Sequence, residues 1–163
     1  MSDQLSPQDV ADRIAIDDLL TRYALAIDGG DWDQLDTVFT PDAVIDYTSA
    51  GGVRGTRDEI KAWLAEALAA FPVRQHMIGN KRVDIDGDTA TVRAYFFNPM
   101  MLTLPDGSGH PTPGGGYYNH RLVRTPEGWR SVELIEEEVW RTGLPDHLQV
   151  PSVPDPGAGS GAG

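Results

Sequence analysis

The sequence predicts an α+β domain in which three helices near the N-terminus cover an antiparallel sheet. Two observations support this fold class. Apolar residues recur at intervals of three and four up to Phe71, and after Pro72 they alternate with a period of two. Helices that precede a run of strands, instead of alternating with strands, are typical of α+β folds. The chain of 163 residues has the length of one domain, which we predict to span residues 8–145.

Sequence signals place the three helices. The first ends at Gly29-Gly30, the second is short and runs from the N-cap Asp31 to near Pro41, and the third ends at Pro72. The apolar face of the first helix is formed by Ile16, Leu19, Leu20, Tyr23 and Ile27. The apolar face of the third is formed by Ile60, Trp63, Leu64, Ala67, Leu68 and Phe71.

Strand-like segments fill the second half of the chain. An isolated strand is predicted at 43–47, and a meander of four or five long strands is predicted at 74–80, 82–85, 89–102, 117–124 and 129–140. The Pro- and Gly-rich stretch 105–116 predicts a long loop. A strongly curved sheet wrapped by helices leaves a cone that the helices do not fill, and a small molecule is expected there.

The composition excludes several classes of protein. There are 13 Lys and Arg against 25 Asp and Glu, a net charge of −12, which disfavours binding to nucleic acid or to an anionic membrane. The absence of cysteine excludes disulfides and thiolate nucleophiles. With no secretory signal or membrane span predicted, we expect a cytoplasmic protein. Residues 146–163 are predicted as a C-terminal extension, disordered from about 151 because it is rich in Pro and Gly.

His76 and Asp28 are the first candidates for catalysis. Period two places His76 with Ile78 on the strand face expected to point into the cone. Asp28 lies at the end of the first helix, where a carboxylate opposes the helix dipole and needs compensation. If His76 supplies it, the carboxylate fixes the ring tautomer and leaves the other nitrogen as a general base. Taken alone, each residue also has an ordinary explanation, as a core histidine and a solvated helix end.

Two tyrosines are predicted to lie near this pair. Tyr23 precedes Ile27 by about one turn on the core-facing stripe, and Tyr47 follows Ile45 on the inward face of the early strand. Buried phenols need hydrogen-bond partners, and in a cavity a ligand can be that partner. Packing alone explains each tyrosine equally well. The remaining histidines, His110, His120 and His147, are not expected to be functional.

Together these residues resemble a known family. The pattern comprises Tyr23, Asp28, Trp32-Asp33, Leu35, Ile45-Asp46-Tyr47, His76-Met77-Ile78-Gly79 and Gly128-Trp129. It is similar, over residues 8–142, to the scytalone dehydratase and SnoaL-like branch of the nuclear transport factor 2-like superfamily. It also resembles bile acid 7α-dehydratase, and hexachlorocyclohexane dehydrochlorinase shares the Asp and the His. The resemblance implies a cone-shaped α+β barrel, no metal or organic cofactor, and a homodimer or homotrimer.

The resemblance also implies residue roles. Asp28 and His76 match a catalytic dyad, Tyr47 matches a tyrosine that orients substrate or water, and Tyr23 matches a pocket tyrosine. The chain has Ile27 and Met100 where the fungal dehydratase has a tyrosine and a second histidine. It has Glu138 where the bile acid enzyme has an arginine. The residues predicted to contact substrate, departures included, are Ile27, Trp63, Ile78, Phe97, Met100, Tyr118 and Glu138.

The last strand carries two glutamates on one face. Glu138 is the nearest match to the family's arginine, and a glutamate there disfavours an anionic ligand group. Glu136 and Glu138 are equally well explained as a solvated or interface edge and as part of the cavity wall. The outward face of the sheet, expected to carry Tyr117, Trp129 or Trp140, favours self-association.

The leading hypothesis is a cofactor-independent, dehydratase-type lyase. His76, oriented by Asp28, removes a proton α to a carbonyl of a hydrophobic hydroxy-carbonyl substrate (polycyclic, aromatic or steroid-like), and a tyrosine stabilises the enolate. The same first step allows isomerisation or cyclisation. The missing second histidine and arginine leave a non-catalytic small-molecule-binding protein as the alternative. Epoxide hydrolysis has only a loose counterpart in Arg93 and Glu133.

Overall fold

The computed structural model describes residues 5–145, so the predicted extension 146–163 and His147 lie outside the described residues. Helix α1 spans Pro7–Gly29 and α2 spans Arg57–Ala67, and 3₁₀ turns lie at Trp32–Thr37, Thr48–Ala50 and Leu68–Ala70. The strands are β1 Phe39–Asp46, β2 Arg54–Thr56, β3 Val73–Arg74, β4 Met77–Asp86, β5 Thr89–Asn98, β6 Met100–Thr103, β7 Gly109–Pro111, β8 Gly114–Thr125 and β9 Gly128–Arg141. Neither α-helix is both long and apolar enough to cross a membrane.

Six strands form one curled sheet in the order β2-β1-β9-β8-β5-β4, and β3, β6 and β7 form a smaller sheet. Neighbours in the large sheet are antiparallel except β1 and β9, which run parallel. The helices cover its inner face, and the sheet does not close into a barrel. The predicted α+β cone is therefore confirmed, with one parallel pair that a simple meander does not contain.

Local signals explain the helix ends. Ser6 caps α1 through a reciprocal pair of hydrogen bonds with Asp9. Gly30, with φ of 67°, ends α1 in the left-handed conformation. The second predicted helix is the 3₁₀ turn Trp32–Thr37, which Asp31 caps by accepting from the backbone N–H of Gln34. It ends earlier than predicted, and Pro41 lies inside β1.

One strand prediction and one loop prediction need correction, both next to proline and glycine residues. The segment 89–102 is not one strand, because Pro99 interrupts it between β5 and β6, which belong to different sheets. The stretch 105–116 is not all loop, because it contains β7 and the start of β8. Gly116 allows β8 to lie close against β9, since a Cβ there would collide with the carbonyl oxygen of Glu137.

The inward-facing residues of β9 have odd numbers at the start of the strand and even numbers further along it. Register shifts opposite 121–122 and 115–116 break the strict alternation. Trp129 is therefore buried and not on the outer face as predicted, and its Nε1–H donates to Asp12 at 3.1 Å. Further along β9, Leu134 and Glu136 face inward, while Trp140 is exposed on the outer face.

Candidate active site

A largely apolar cavity of about 220 Å³ lies between the helices, the large sheet and the small sheet. Its apolar wall includes Ile27, Trp63, Leu64, Leu68, Phe71 and Met100. Its polar wall includes Tyr23, Tyr47, His76, Asn98, Tyr118, Glu136 and Arg141. An apolar cavity with a few convergent polar groups is the usual form of a small-molecule site.

The carboxylate of Asp28 and the ring of His76 are in direct contact. Asp28 lies in the last turn of α1, and its Oδ1 is 2.6 Å from His76 Nδ1. The backbone N–H of His76 donates to Asp28 Oδ2 at 2.9 Å and to Oδ1 at 3.1 Å. Burial raises the pKa of the Asp28 carboxyl, but the hydrogen bonds from His76 and the nearby charges outweigh it, so the pKa is lowered. A charged carboxylate therefore faces Nδ1.

Asn98 lies on the other side of the imidazole ring. Its Nδ2 is 3.4 Å from His76 Nε2, and its Oδ1 is buried without a hydrogen-bond partner among residues 5–145. Asn98 is the last residue of β5, whose alternation directs it inward together with Phe96. Asn98 was not predicted from the sequence, in which Met100 was the residue near Pro99 expected to contact substrate. A ligand in the cavity can supply the bond that Oδ1 lacks.

Three tyrosines form a second polar group in the cavity. The hydroxyl groups of Tyr23 and Tyr47 are 2.8 Å apart, and the ring of Tyr118 packs edge-on against Tyr23. Burial raises the pKa of all three phenols well above the ordinary value, and Glu136 adds to the effect because it is ionised at the alkaline pH where phenols titrate. They stay protonated and can donate hydrogen bonds to an oxygen that gains charge.

Glu136 and Glu138 have different surroundings. Glu136 is only 7% exposed and lines the cavity. Burial raises the pKa of its carboxyl to about 8, with a further contribution from Glu138 that Arg141 partly offsets. Glu138 is not among the cavity-lining residues, contrary to the prediction, because its Oε2 accepts from Arg141 Nε at 2.7 Å. It positions Arg141 and does not contact the cavity.

Arg141 is an arginine of the cavity wall that was not predicted from the sequence. It lines the cavity three residues beyond Glu138, and its Nη1 also donates to the carbonyl of Thr112 at 3.2 Å. Since Glu138 neutralises it, Arg141 supplies directed hydrogen-bond donors and little net charge.

Some predicted residues lie outside the cavity wall. Phe97 is 41% exposed on the outer face, where it stacks against Trp140, and Phe96 takes the inward position and stacks on Tyr118. Ile78 packs against the core and is not among the cavity-lining residues. Arg93 and Glu133, considered for epoxide hydrolysis, pair separately with Glu137 and Arg121 on the outer face.

His120 and His110 do not join the site. His120 is buried in the core, where its Nδ1 is 3.0 Å from Ser131 Oγ, and burial lowers the pKa of its ring to about 3. His110 lies on β7. Within residues 5–145, no group of three or more His, Asp or Glu side chains is arranged to hold a metal ion.

Comparison with known proteins gives the family. Residues 8–135 match the SnoaL-like domain family. An uncharacterised protein of Mycobacterium tuberculosis, Rv2910c, is 44% identical over 138 residues, which is 84% of this chain and 92% of that protein. A solved structure from Novosphingobium aromaticivorans, described as a candidate aromatic ring hydroxylase, is 30% identical with a TM-score of 0.75 and covers 86% of this chain and 96% of its own.

Two more distant structures share the fold. A candidate scytalone dehydratase from N. aromaticivorans is 18% identical with a TM-score of 0.77, covering 90% of this chain and 95% of its own. A hexachlorocyclohexane dehydrochlorinase, LinA type 2, is 19% identical with a TM-score of 0.71, covering 87% and 95%. At these identities the two likenesses show a shared fold and no more. The chain belongs to the SnoaL-like domain family.

Proposed function

We propose that this protein is a cofactor-independent lyase that eliminates water from a small, hydrophobic hydroxy-carbonyl compound. The observation that carries the proposal is the 2.6 Å contact between Asp28 Oδ1 and His76 Nδ1 at the wall of an apolar cavity. A carboxylate facing Nδ1 favours the tautomer with its proton on that nitrogen. The lone pair of Nε2 can then remove a proton from carbon once the substrate displaces the long 3.4 Å contact from Asn98 Nδ2.

We place the carbonyl group of the substrate next to the tyrosine hydroxyl groups. When His76 removes the α proton, negative charge develops on the carbonyl oxygen. In the pair of Tyr23 and Tyr47 one hydroxyl donates to the other, and the second O–H can donate to the carbonyl oxygen. Removing one such donor from an enzyme typically costs about 10²–10³ in rate. Asn98, next to Nε2, is proposed to hold the substrate in position against the imidazole ring. The β-hydroxyl then leaves and the carbon–carbon double bond forms.

The size of the cavity narrows the substrate class. Its volume of about 220 Å³ lies below the roughly 300 Å³ at which pockets for drug-sized ligands begin. We therefore favour a compound with one or two rings over the steroid-like compounds considered from the sequence. The pairing of Arg141 with Glu138 supplies hydrogen-bond donors without a free positive charge, which favours a neutral oxygen over a carboxylate.

Elimination is tested with the aldol of benzaldehyde and acetone, a hydrophobic β-hydroxy ketone whose dehydration gives a strongly absorbing enone. The wild-type protein is expected to accelerate enone formation. His76→Ala should lose about 10²–10⁴ of that acceleration, while the control His110→Ala, altered outside the cavity, should keep it. Equal activity in His76→Ala and wild type would exclude the mechanism.

Met100 favours a second candidate function. It lines the cavity where the resembled dehydratases have a further histidine, so the cavity has one proton-transfer group fewer. A protein that binds a small ketone without reacting would bind the aldol and leave it intact. An isomerase or cyclase would instead consume a ketone without releasing water, which mass analysis of the product distinguishes.

A further inference from the structure

Glu136 is a buried carboxyl group that the mechanism above does not use. Its side chain is 7% exposed and lines the same cavity as His76. No residue in the described part of the chain forms a hydrogen bond or an ion pair with its carboxyl group. Buried carboxyl groups are normally paired, so an unpaired one facing a cavity indicates that a ligand is its partner.

Burial keeps the Glu136 carboxyl neutral, because the groups around it supply no free positive charge. Tyr23 faces it from α1, Tyr47 from the turn after β1, and Tyr118 from the neighbouring position on β8. On its own strand, Glu138 adds negative charge and Arg141 adds positive charge, and these two are paired with each other. Three protonated phenols and a neutralised arginine leave no free cation to hold a carboxylate, so burial dominates.

Elimination of water needs two different kinds of help. The carbonyl oxygen needs only a hydrogen bond, which the phenols can give. The hydroxyl group needs a full proton, because hydroxide is a poor leaving group. The phenols have pKa values too high to release protons near neutral pH, whereas the Glu136 carboxyl, with a pKa of about 8, can do so.

On these grounds, which rest on the proposed lyase function, we propose that Glu136 is a catalytic acid that protonates the departing β-hydroxyl group. The electrons of the α C–H bond form the double bond while His76 Nε2 takes the proton. The β C–O bond breaks, its electron pair stays on oxygen, and the Glu136 proton converts the departing group to water. His76 ends protonated and Glu136 ends as a carboxylate, and passage of one proton from His76 to Glu136 through water restores both.

The test compares two leaving groups. The aldol of benzaldehyde and acetone must lose hydroxide, whereas its β-chloro analogue loses chloride, which needs no proton. Glu136→Gln should slow elimination from the aldol by about 10²–10⁴-fold and leave chloride elimination, corrected for the spontaneous reaction, nearly unchanged. The matched control is Glu137→Gln, the next residue on β9, which pairs with Arg93 on the outer face and should leave both reactions unchanged.

A second measurement separates failure of this inference from failure of the lyase proposal. Exchange of the α protons of indanone in heavy water reports proton removal without any leaving group. The inference is supported if the wild type and Glu136→Gln both exchange the α protons and only the variant loses elimination of water. Equal slowing of both leaving groups, or no slowing of either, overturns the inference alone. Wild-type exchange with no dehydration of the aldol overturns the lyase proposal as well. Absence of exchange in the wild type overturns the lyase proposal and the inference with it.

The protonated state of Glu136 is read in the wild-type protein, so it does not depend on the variant folding. Carboxyl carbon NMR should show one glutamate that titrates near pH 8, and this signal should be missing from Glu136→Gln. A carboxyl that is already ionised at pH 6 would overturn the assignment of Glu136 as the acid.

Discussion

His76 donates to Asp28 from both its backbone and its ring: the backbone N–H is 2.9 Å from Oδ2 and Nδ1 is 2.6 Å from Oδ1. The carboxylate therefore fixes the backbone between β3 and β4 and the orientation of the imidazole together. Arg74, two residues earlier, donates from Nη2 to the carbonyl of Asp28 at 3.1 Å. These contacts compensate the negative charge at the C-terminus of α1, as the sequence analysis required.

The first prediction concerns the tautomer of His76. Nitrogen NMR should show the ring proton on Nδ1, because a carboxylate accepts there. Asp28→Asn presents an amide in place of the carboxylate and should shift the ring toward the tautomer protonated on Nε2, with a loss of about 10²–10⁴ in turnover. An unchanged tautomer in Asp28→Asn would show that Asp28 does not orient the ring.

The second prediction concerns a buried ion pair far from the cavity. Asp12 accepts from Arg124 Nη1 and Nη2 at 2.7 and 2.8 Å and from Trp129. Asp12→Ala should lower the free energy of unfolding by about 2–3 kcal/mol, less than for a fully buried pair because Arg124 is partly exposed. Denaturant unfolding measures this change, and an exposed control, Asp18→Ala, should change stability by less than about 1 kcal/mol.

The same pair makes stability depend on acid. The hydrogen bond from Arg124 lowers the pKa of Asp12, and this outweighs the opposing effect of burial. The folded protein therefore holds Asp12 charged where the unfolded chain would protonate it. The stabilisation is complete above the unfolded value of 3.8 and is lost as pH falls below it. In Asp12→Ala, the free energy of unfolding should decrease less steeply as the pH falls below 3.8. An equally steep decrease in the variant would show that other carboxyl groups cause it.

The third prediction is a stability effect of Glu136 with the opposite sign. Its pKa is raised from 4.5 to about 8, so between these values the folded protein keeps a proton that the unfolded chain has lost. Stability should therefore fall as pH rises through this range. Glu136→Gln should remove the fall and be more stable than wild type near pH 8 by up to a few kcal/mol. Calorimetry against the Glu137→Gln control measures this, and parallel pH profiles would contradict it.

The fourth prediction concerns self-association. We propose that two copies pair through the outer face of the large sheet, where apolar side chains are exposed. They are Met77, Tyr95, Phe97, Ile135, Val139 and Trp140. Large exposed apolar patches commonly mark interfaces between subunits. Sedimentation should show a dimer for the wild type and a monomer for Trp140→Glu. A wild-type monomer at micromolar concentration would contradict the proposal.

The fold class and the Asp28–His76 contact were accessible from sequence because both follow from local rules. Helical and alternating periods separate the two halves of the chain, and a carboxylate at a helix C-terminus requires a partner. The inward face of β5 was harder to identify. Aromatic residues occur on both of its faces, Tyr95 and Phe97 outside and Phe96 inside, so periodicity alone does not say which face is buried.

The far end of β9 could not be predicted for a different reason. Register shifts between β8 and β9 change which residues face inward, and such shifts have no clear sequence signal. Glu136 consequently had two equal interpretations, and Arg141 was missed because the strand continues beyond the predicted end at Trp140. Asn98 was missed because its role depends on which face of β5 is buried.

We claim that His76 removes a proton from carbon, and α-proton exchange of indanone in heavy water, followed by proton NMR, measures this step without any leaving group. The wild-type protein should accelerate deuterium incorporation, Asp28→Asn should reduce the acceleration, and His76→Ala should abolish it while retaining the wild-type fold by circular dichroism. Incorporation in His76→Ala at the wild-type rate would contradict the claim, as would a wild-type rate no faster than that in buffer.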